Sequence, residues 1–309
     1  MKNLAIIGAG QLGSRHLQAL ALIDNVNLFI VDPLEKAWNL CKTRLNEVNL
    51  CNTRITYLKN INELPNELEF VVISTNSKQR LLVLKQLISH ALVKYILLEK
   101  FLFPNYEEYN EANELLNRVN TKVYVNCSRP MWQSYKKLKN EIEISHSIEC
   151  KVSGVNWNMS SNAIHFLNLF LFIVEEKNAD VDISLLDKEI MENKRPGYVD
   201  FTGRITITTP KKHKLVLESF KSGEKPLSIY FSSQTQKIKI YESRGIYSIN
   251  DLDYSFNVEY QSQLTNLVYE QLQQYNNCDL VSYSQSKQEH IMLLKAFNKF
   301  LNGRGGAIT

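Results

Sequence analysis

Between residues 3 and 127 the chain alternates between two hydrophobic periods. Short runs rich in β-branched residues recur at 4–7, 27–31, 54–58, 70–74, 94–98 and 122–126. Between most of them lie segments 12–22, 35–48, 79–91 and 106–119, whose apolar residues fall three and four apart, the spacing of one helix face. A strand followed by a helix re-enters its sheet in the same direction, and the helix then covers the sheet. Six such strands complete the two mononucleotide-binding halves of a doubly wound parallel sheet. The third crossover, Ile61-Asn62-Glu63-Leu64-Pro65, is too short for a full helix.

After residue 128 the pattern changes. A helix is expected over 131–142, a strand over 148–157 and a buried helix over 163–174. Strands follow at 204–209, 214–220, 227–232, 237–241 and 245–249. Turn formers such as Thr209-Pro210-Lys211, Ser222-Gly223-Glu224 and Ser243-Arg244-Gly245 join them. Short connectors imply antiparallel pairing. Helices over 258–275 and 286–301 close the pattern, and the tail Gly303-Arg304-Gly305-Gly306 is expected to fray. A chain of 309 residues suits two domains. The boundary is placed between an N-terminal domain, 1–127, and a C-terminal domain, 128–309.

The bulk properties exclude several classes of partner. A net charge of +4 is interspersed with acids and forms no basic stripe, which argues against nucleic acid. The longest apolar stretch, 163–174, is shorter than the ~20 residues of a membrane span. The apolar start runs straight into glycines and reads as a strand, not a signal peptide. Five cysteines without a C-x-x-C pair argue against a disulfide framework or a zinc site, and no H-x-x-x-H spacing suggests a metal. A reducing cytoplasm is the compartment expected.

The most specific local signal is Gly8-Ala9-Gly10-Gln11-Leu12-Gly13, which follows the first strand run and opens the first helix. In such a turn Gly8 permits the tight bend, Gly10 the approach of a pyrophosphate, and Gly13 the packing of helix on strand. The helix start, reached through Gln11 and Leu12, offers backbone N–H groups and a positive dipole end to the phosphates. Asp32 ends the second strand run, at about the 20-residue distance where an acid accepts the ribose hydroxyls. No arginine follows it to receive a 2′-phosphate, which favours NAD over NADP. Ser74-Thr75-Asn76, after the fourth run, is the loop expected on the nicotinamide side.

Two further segments narrow the reading: Glu99-Lys100-Phe101 just past the fifth run, and His165 within Ser161-Asn162-Ala163-Ile164-His165. With Gly8–His16 they resemble the glucose–fructose oxidoreductase / inositol dehydrogenase (Gfo/Idh/MocA) family. That family carries a glycine motif ending in His, a Glu-Lys-Pro after the fifth strand, and a catalytic His on a second-domain helix. The resemblance covers the whole chain. It implies a Rossmann domain plus an α/β domain on a large open, predominantly antiparallel sheet, through which family members often form dimers or tetramers. The chain departs from the pattern at four places. Phe101 stands for the Pro, Asn168 and Ser161 for two acids near the His, and Arg80 for a His after the fourth strand.

The function implied is an NAD(H)-dependent oxidoreductase acting on CH–OH groups, moving a hydride between nicotinamide and a secondary alcohol or ketone of a sugar, nucleotide sugar or cyclitol. Lys100 and His165 form the proton-handling pair, with Lys100 polarising and His165 exchanging the proton, or the reverse. His165 is expected at a helix start capped by Ser160, Ser161 or Asn162, where the positive helix end favours neutral imidazole. Glu99 joins the cofactor contacts, and Arg129, Asn162 and Asn168 are candidate substrate contacts. Trp157 is assigned to core packing and His16 to the space beneath the glycine turn. Two other functions fit the same architecture: a non-catalytic NAD(H)-binding sensor or scaffold, and an imine or linear-tetrapyrrole reductase.

Overall fold

A computed structural model describes residues 1–144, 146–193 and 196–303. The chain forms two compact units. Met1–Ser128 and Glu259–Tyr283 make the first; Arg129–Val258 and the segment from Ser284 make the second.

The first unit contains β1 (Lys2–Ile7), α1 (Gly13–Leu20), β2 (Val26–Val31), α2 (Glu35–Leu45), β3 (Thr53–Leu58), β4 (Glu67–Ile73), α3 (Ser77–His90), β5 (Leu92–Leu98), α4 (Tyr106–Leu116) and β6 (Lys122–Val125). Its six strands are all parallel, in the order β3-β2-β1-β4-β5-β6. The third crossover carries only the 3-10 turn Ile61–Glu63. Leu4–Ile6 of β1 and Phe70–Ile73 of β4 are fully buried, as strands covered on both faces must be, and hence they read as continuous apolar runs.

The strand order reverses between β1 and β4, and such a switch point opens a crevice at the carboxyl end of the sheet. Register decides what lines that end. Ile7 pairs with Val31 and Ile73, Ile73 with Leu98, and Leu98 with Val125. The residues that follow, Gly8, Asp32, Ser74, Glu99 and Asn126, therefore stand in one row along the carboxyl edge. Backbone bonds extend the ladder into that row. Gly8 donates to Val31 at 2.9 Å, Ser74 to Ile7 at 2.9 Å, Glu99 to Ile73 at 3.1 Å and Asn126 to Leu98 at 2.8 Å.

The second unit holds α5 (Gln133–Glu141), β7 (Glu149–Val155), α6 (Met159–Val174), β8 (Asp180–Glu192), β9 (Val199–Thr208), β10 (Lys214–Phe220), β11 (Ser228–Ser232), β12 (Lys237–Tyr241), β13 (Ile246–Ile249) and β14 (Leu252–Ser255). The eight strands form one sheet, β14-β13-β12-β11-β7-β10-β9-β8, antiparallel except for the β7–β10 pair. β8 escapes sequence reading because its register shifts between Asp182 and Leu185 and again between Leu186 and Ile190. Each shift interrupts the two-residue alternation that marks a strand.

The chain next returns to the first unit. Where one helix over 258–275 is expected there is a 3-10 turn, Gln261–Gln263, and then α7 (Thr265–Tyr275). The Tyr95 hydroxyl on β5 donates to Leu272 O of α7 at 3.1 Å, and Val125 N–H to Val281 O at 3.0 Å. The last helix is α8 (Tyr283–Leu301); the tail from Arg304 lies outside the described residues. In the second unit Phe201 of β9 meets Phe297 and Phe300 of α8, with ring centroids 4.9 and 5.4 Å apart. The other face of the sheet is polar: Glu218 bonds Lys151 at 2.9 Å and Arg204 at 2.8 Å. An antiparallel sheet with one packed and one polar face is the common outcome.

Candidate active site

The glycine turn closes against the ends of its neighbouring strands. Gly8 has φ +94°, and a Cβ there would stand 2.9 Å from Thr75 N. At Gly13 a Cβ would fall 1.9 Å from Gly8 O, so only glycine lets α1 start this close to β1. Around the Cβ position of Gly10 there is open space for 4 Å. Ser74 Oγ donates to Gly8 O at 2.5 Å, tying β4 to the turn. Asp32 Oδ2 accepts from Ala9 N–H at 2.8 Å and Oδ1 from Leu34 N–H at 2.9 Å, which holds the carboxylate beside the turn. α1 opens without a side-chain cap, and its Ser14, Arg15 and His16 N–H groups donate back to the turn, to Gly10 O at 3.0 Å and to Leu12 O at 2.9 and 3.0 Å. Arg44 of α2 braces the turn from outside, donating to Ser14 Oγ and Gln11 Oε1 at 2.5 Å each and to Gln11 O.

The turn after β5 places Lys100. From Tyr95 to Phe103 every residue except Lys100 is buried. Glu99 faces inward, 3% exposed, and its Oε1 accepts from His16 Nε2 at 2.9 Å and Asn126 Nδ2 at 2.5 Å. His16 Nδ1 lies 2.8 Å from Thr265 Oγ1, and Asn126 Nδ2 also donates to Gln261 Oε1 at 2.7 Å. Burial pushes the Glu99 carboxyl up, but the bond and charge of His16, with Asn126 and Arg80, outweigh it and hold the group below the usual carboxylate range. His16 thus lies beneath the glycine turn and joins α1 to the strand end that precedes Lys100. The Lys100–Phe101 peptide is cis.

In the second unit α6 starts earlier than the sequence suggests. Asp200 of β9 accepts from Ser160 N–H at 2.8 Å, and Ser160 Oγ donates to Val199 O at 2.8 Å. A carboxylate from another strand thus supplies the cap, and Ser160, Ser161 and Asn162 are helical residues. The N-cap is Asn158, at φ +55°. His165 is half-buried and six residues past Met159, nearly two turns at about 3.6 residues each. The expectation that the helix end favours neutral imidazole at His165 is therefore corrected, because the dipole acts within the first turn.

The candidate substrate residues of this unit are tied to their own surroundings. Arg129 Nε and Nη2 reach Glu242 Oε1 and Oε2 at 2.7 and 2.8 Å, and the Tyr135 hydroxyl donates to Glu242 Oε1 at 2.5 Å. The Arg129 guanidinium lies 4.4 Å from the Phe166 ring centre. Although burial pushes the other way, these contacts hold the Arg129 pKa above its ordinary value and that of Glu242 below. Asn162 Nδ2 donates to Trp157 O at 2.9 Å and Asn168 Nδ2 to Glu289 Oε2 at 2.9 Å. Trp157 packs edge-on against Phe166 at 5.4 Å and donates to Glu218 O, a core position.

Residues 2–127 match the profile of an oxidoreductase family with an NAD-binding Rossmann fold, GFO_IDH_MocA. Over these residues the chain is similar to the Gfo/Idh/MocA oxidoreductases. Its fold is that of a dehydrogenase (MviM) from Clostridium difficile, at a TM-score of 0.74 and 16% identity over 96% of this chain and 99% of the other. It is similar to the UDP-N-acetylglucosamine 3-dehydrogenase GnnA of Acidithiobacillus ferrooxidans, at 0.72 and 12% over 95% and 96%. It is also similar to an oxidoreductase from Agrobacterium radiobacter in complex with NAD+, L-tartaric acid and magnesium, at 0.71 and 12% over 98% and 97%. At these identities the likeness is one of fold. No curated protein sequence matches the chain.

The residues of the first unit fit NAD. The space at Gly10 is open, Asp32 is fixed beside the turn, and Thr75 Oγ1 is buried without a hydrogen-bond partner among the described residues. Gly8, Gly10, Gln11, Leu12, Gly13 and Asp32 would hold the adenosine diphosphate half. Sequence reasoning missed Arg44, Asn126, Glu242 and Glu289. None belongs to a local motif; each reaches its partner from a distant part of the chain. Among the described residues no cluster of His, Cys, Asp or Glu could hold a metal ion, and no helix is long and apolar enough to cross a membrane.

Proposed function

We propose that this oxidoreductase transfers a hydride between NAD(H) and a secondary alcohol or ketone of a sugar, nucleotide sugar or cyclitol, with Lys100 and His165 handling the proton. The observation that carries the reading is the β5–α4 turn. It adjoins the row that contains Gly8, Asp32, Ser74 and Glu99, and from Glu99 to Phe103 it buries every side chain but that of Lys100. The nicotinamide, when bound, supplies the acceptor or donor of the hydride.

Lys100 is a hydrogen-bond donor at the ligand-binding edge of the sheet. Its ammonium favours charge developing on the substrate oxygen and so lowers the barrier in either direction. His165 Nδ1 or Nε2 takes the hydroxyl proton in oxidation and returns it in reduction. Ser74, Thr75 and Asn76 border the nicotinamide side, while Glu99 serves that edge from within by anchoring it to His16. Arg129, Asn162 and Asn168 complete the substrate side, with Arg129 already oriented by Glu242. The sugar-directed name of one structural relative and the NAD+ and L-tartaric acid held by another agree with a hydroxyl-bearing substrate.

The division of labour proposed is residues 1–127 for the cofactor and 128–309 for substrate and self-association, except that Glu259–Tyr283 belongs to the first unit. The polar sheet face bearing Lys151, Arg204 and Glu218 is the surface proposed for a homodimer or homotetramer. The compartment proposed is the cytoplasm.

The test is a panel of nucleotide sugars, polyols and their ketones with NAD+ or NADH, followed by nicotinamide absorbance. Lys100→Ala and His165→Ala should each lower kcat by about 10²–10⁴-fold on the active substrate, the usual worth of general acid–base catalysis. Turnover unchanged in both variants would overturn the assigned roles. NADH binding without turnover on any alcohol or ketone would favour the sensor reading, and reduction of imines or tetrapyrroles alone would favour the third.

A further inference from the structure

Arg80 is the largest polar side chain that the first unit encloses. It sits in the opening turn of α3 and is 2% exposed. Its guanidinium reaches two loops at once. Nη1 donates to Leu102 O at 2.8 Å and to Phe101 O, while Nη2 donates to Thr75 O. Thr75 belongs to the loop after β4 that borders the nicotinamide side. Phe101 adjoins Lys100 in the turn after β5. The loop is held again a few residues on, where the Tyr109 hydroxyl lies 3.3 Å from Phe103 N and 3.1 Å from Phe103 O.

A guanidinium suits this task because its donors lie in one plane in a fixed fork, so fixing one edge fixes the direction of the other. Carbonyls of two separate loops held by one rigid ion cannot shift independently. A cofactor that presses on the Ser74–Thr75–Asn76 loop therefore acts, through one side chain, on the turn that aims Lys100. The Arg80 charge also helps keep the neighbouring Glu99 ionised, so the row behind Lys100 is stabilised electrostatically as well as mechanically.

We propose that Arg80 is a positioning residue that couples occupation of the cofactor loop to the placement of the Lys100 side chain. The proposal deepens the reading of Lys100 as a proton-handling group and rests on it for its consequence in turnover. The coupling itself can be measured without a substrate.

The test is the rate of Lys100 acylation by acetic anhydride, read by peptide mass spectrometry with and without saturating NADH, with Lys94 and Lys122 as surface references. In the natural protein NADH should change the Lys100 rate by about tenfold, the size expected when a side chain passes between open and water-excluded settings. Arg80→Met should still bind NADH by calorimetry but lose that response. Arg80→Lys keeps the charge but has no planar fork to hold the two loops in one fixed geometry. It should show the same loss, and it serves if the Met variant does not fold.

A Lys100 rate that ignores NADH in the natural protein overturns the proposal. So does a response of natural size in a folded, NADH-binding Arg80 variant, because Lys100 would then be sensing the cofactor directly. On an active substrate both variants should lower kcat while leaving the KM for NADH nearly unchanged. If Lys100→Ala leaves turnover intact while the labelling response still depends on Arg80, the proton-handling role of Lys100 fails and the coupling stands.

Discussion

Glu289→Gln should stabilise the second unit at neutral and alkaline pH and do little in mild acid. Glu289 lies on α8, 2% exposed, and accepts from Asn168 Nδ2 at 2.9 Å and Gln285 Nε2 at 3.4 Å. Burial pushes its carboxyl up to about 7 from an ordinary 4.5, and the two hydrogen bonds offset only part of that. The native carboxyl thus binds its proton more tightly than the unfolded one. Between about pH 4.5 and 7 the folded protein carries the extra proton, so stability falls as pH rises through that window. Above it both states are ionised and the whole cost is present: about 2.5 units at 1.36 kcal/mol each, or about 3 kcal/mol. Glutamine keeps an acceptor for the Asn168 amide and cannot ionise.

The assay is thermal unfolding of the natural protein and the variant across pH, with the difference in Tm as the readout so that other titrating groups cancel. At about pH 8 the variant should melt about 6–12 °C higher, taking 2–4 °C per kcal/mol for a unit of this size. At about pH 5 the gap should shrink to under about 1 kcal/mol. A gap that is the same at both ends, or that favours the natural protein at high pH, would refute the argument that burial of an ionised Glu289 costs stability.

Two further outcomes rest on other contacts. Asp32→Asn retains an acceptor for Ala9 N–H but loses the charge offered to the ribose, so calorimetry should show NAD+ bound about ten- to a hundredfold more weakly. The preference for NAD+ over NADP+ should narrow in the same measurement. Arg129→Met leaves the Glu242 carboxylate in its pocket with Tyr135 alone, and a urea titration should show about 3–5 kcal/mol lost. Much of that loss should return in the double variant with Glu242→Gln; a loss no smaller in the double variant would mean that the charge of Glu242 is not its cause.

What could be read from the sequence was local. The turn Gly8–Gly13 constrains its own backbone, so its bend, its place between strand and helix, and the acid at Asp32 were visible in order along the chain. Lys237–Tyr241 coincides with its expected strand because its alternation is unbroken, and Lys214–Phe220 because its short apolar run Leu215–Leu217 is bounded by turns, whereas the two register shifts in β8 hid that strand. Tertiary structure decided whatever needed a distant partner. Asp200 caps α6 across the sheet and moves its start four residues ahead of the expected one, which puts His165 beyond the reach of the helix end. Glu242 takes up the guanidinium of Arg129, His16 and Asn126 turn Glu99 inward, and Arg80 joins two loops that are 26 residues apart. Local patterns follow from the dihedrals and burial period of neighbouring residues, which sequence records directly. Pairing of charges and carbonyls across elements depends on packing, and no spacing along the chain encodes it.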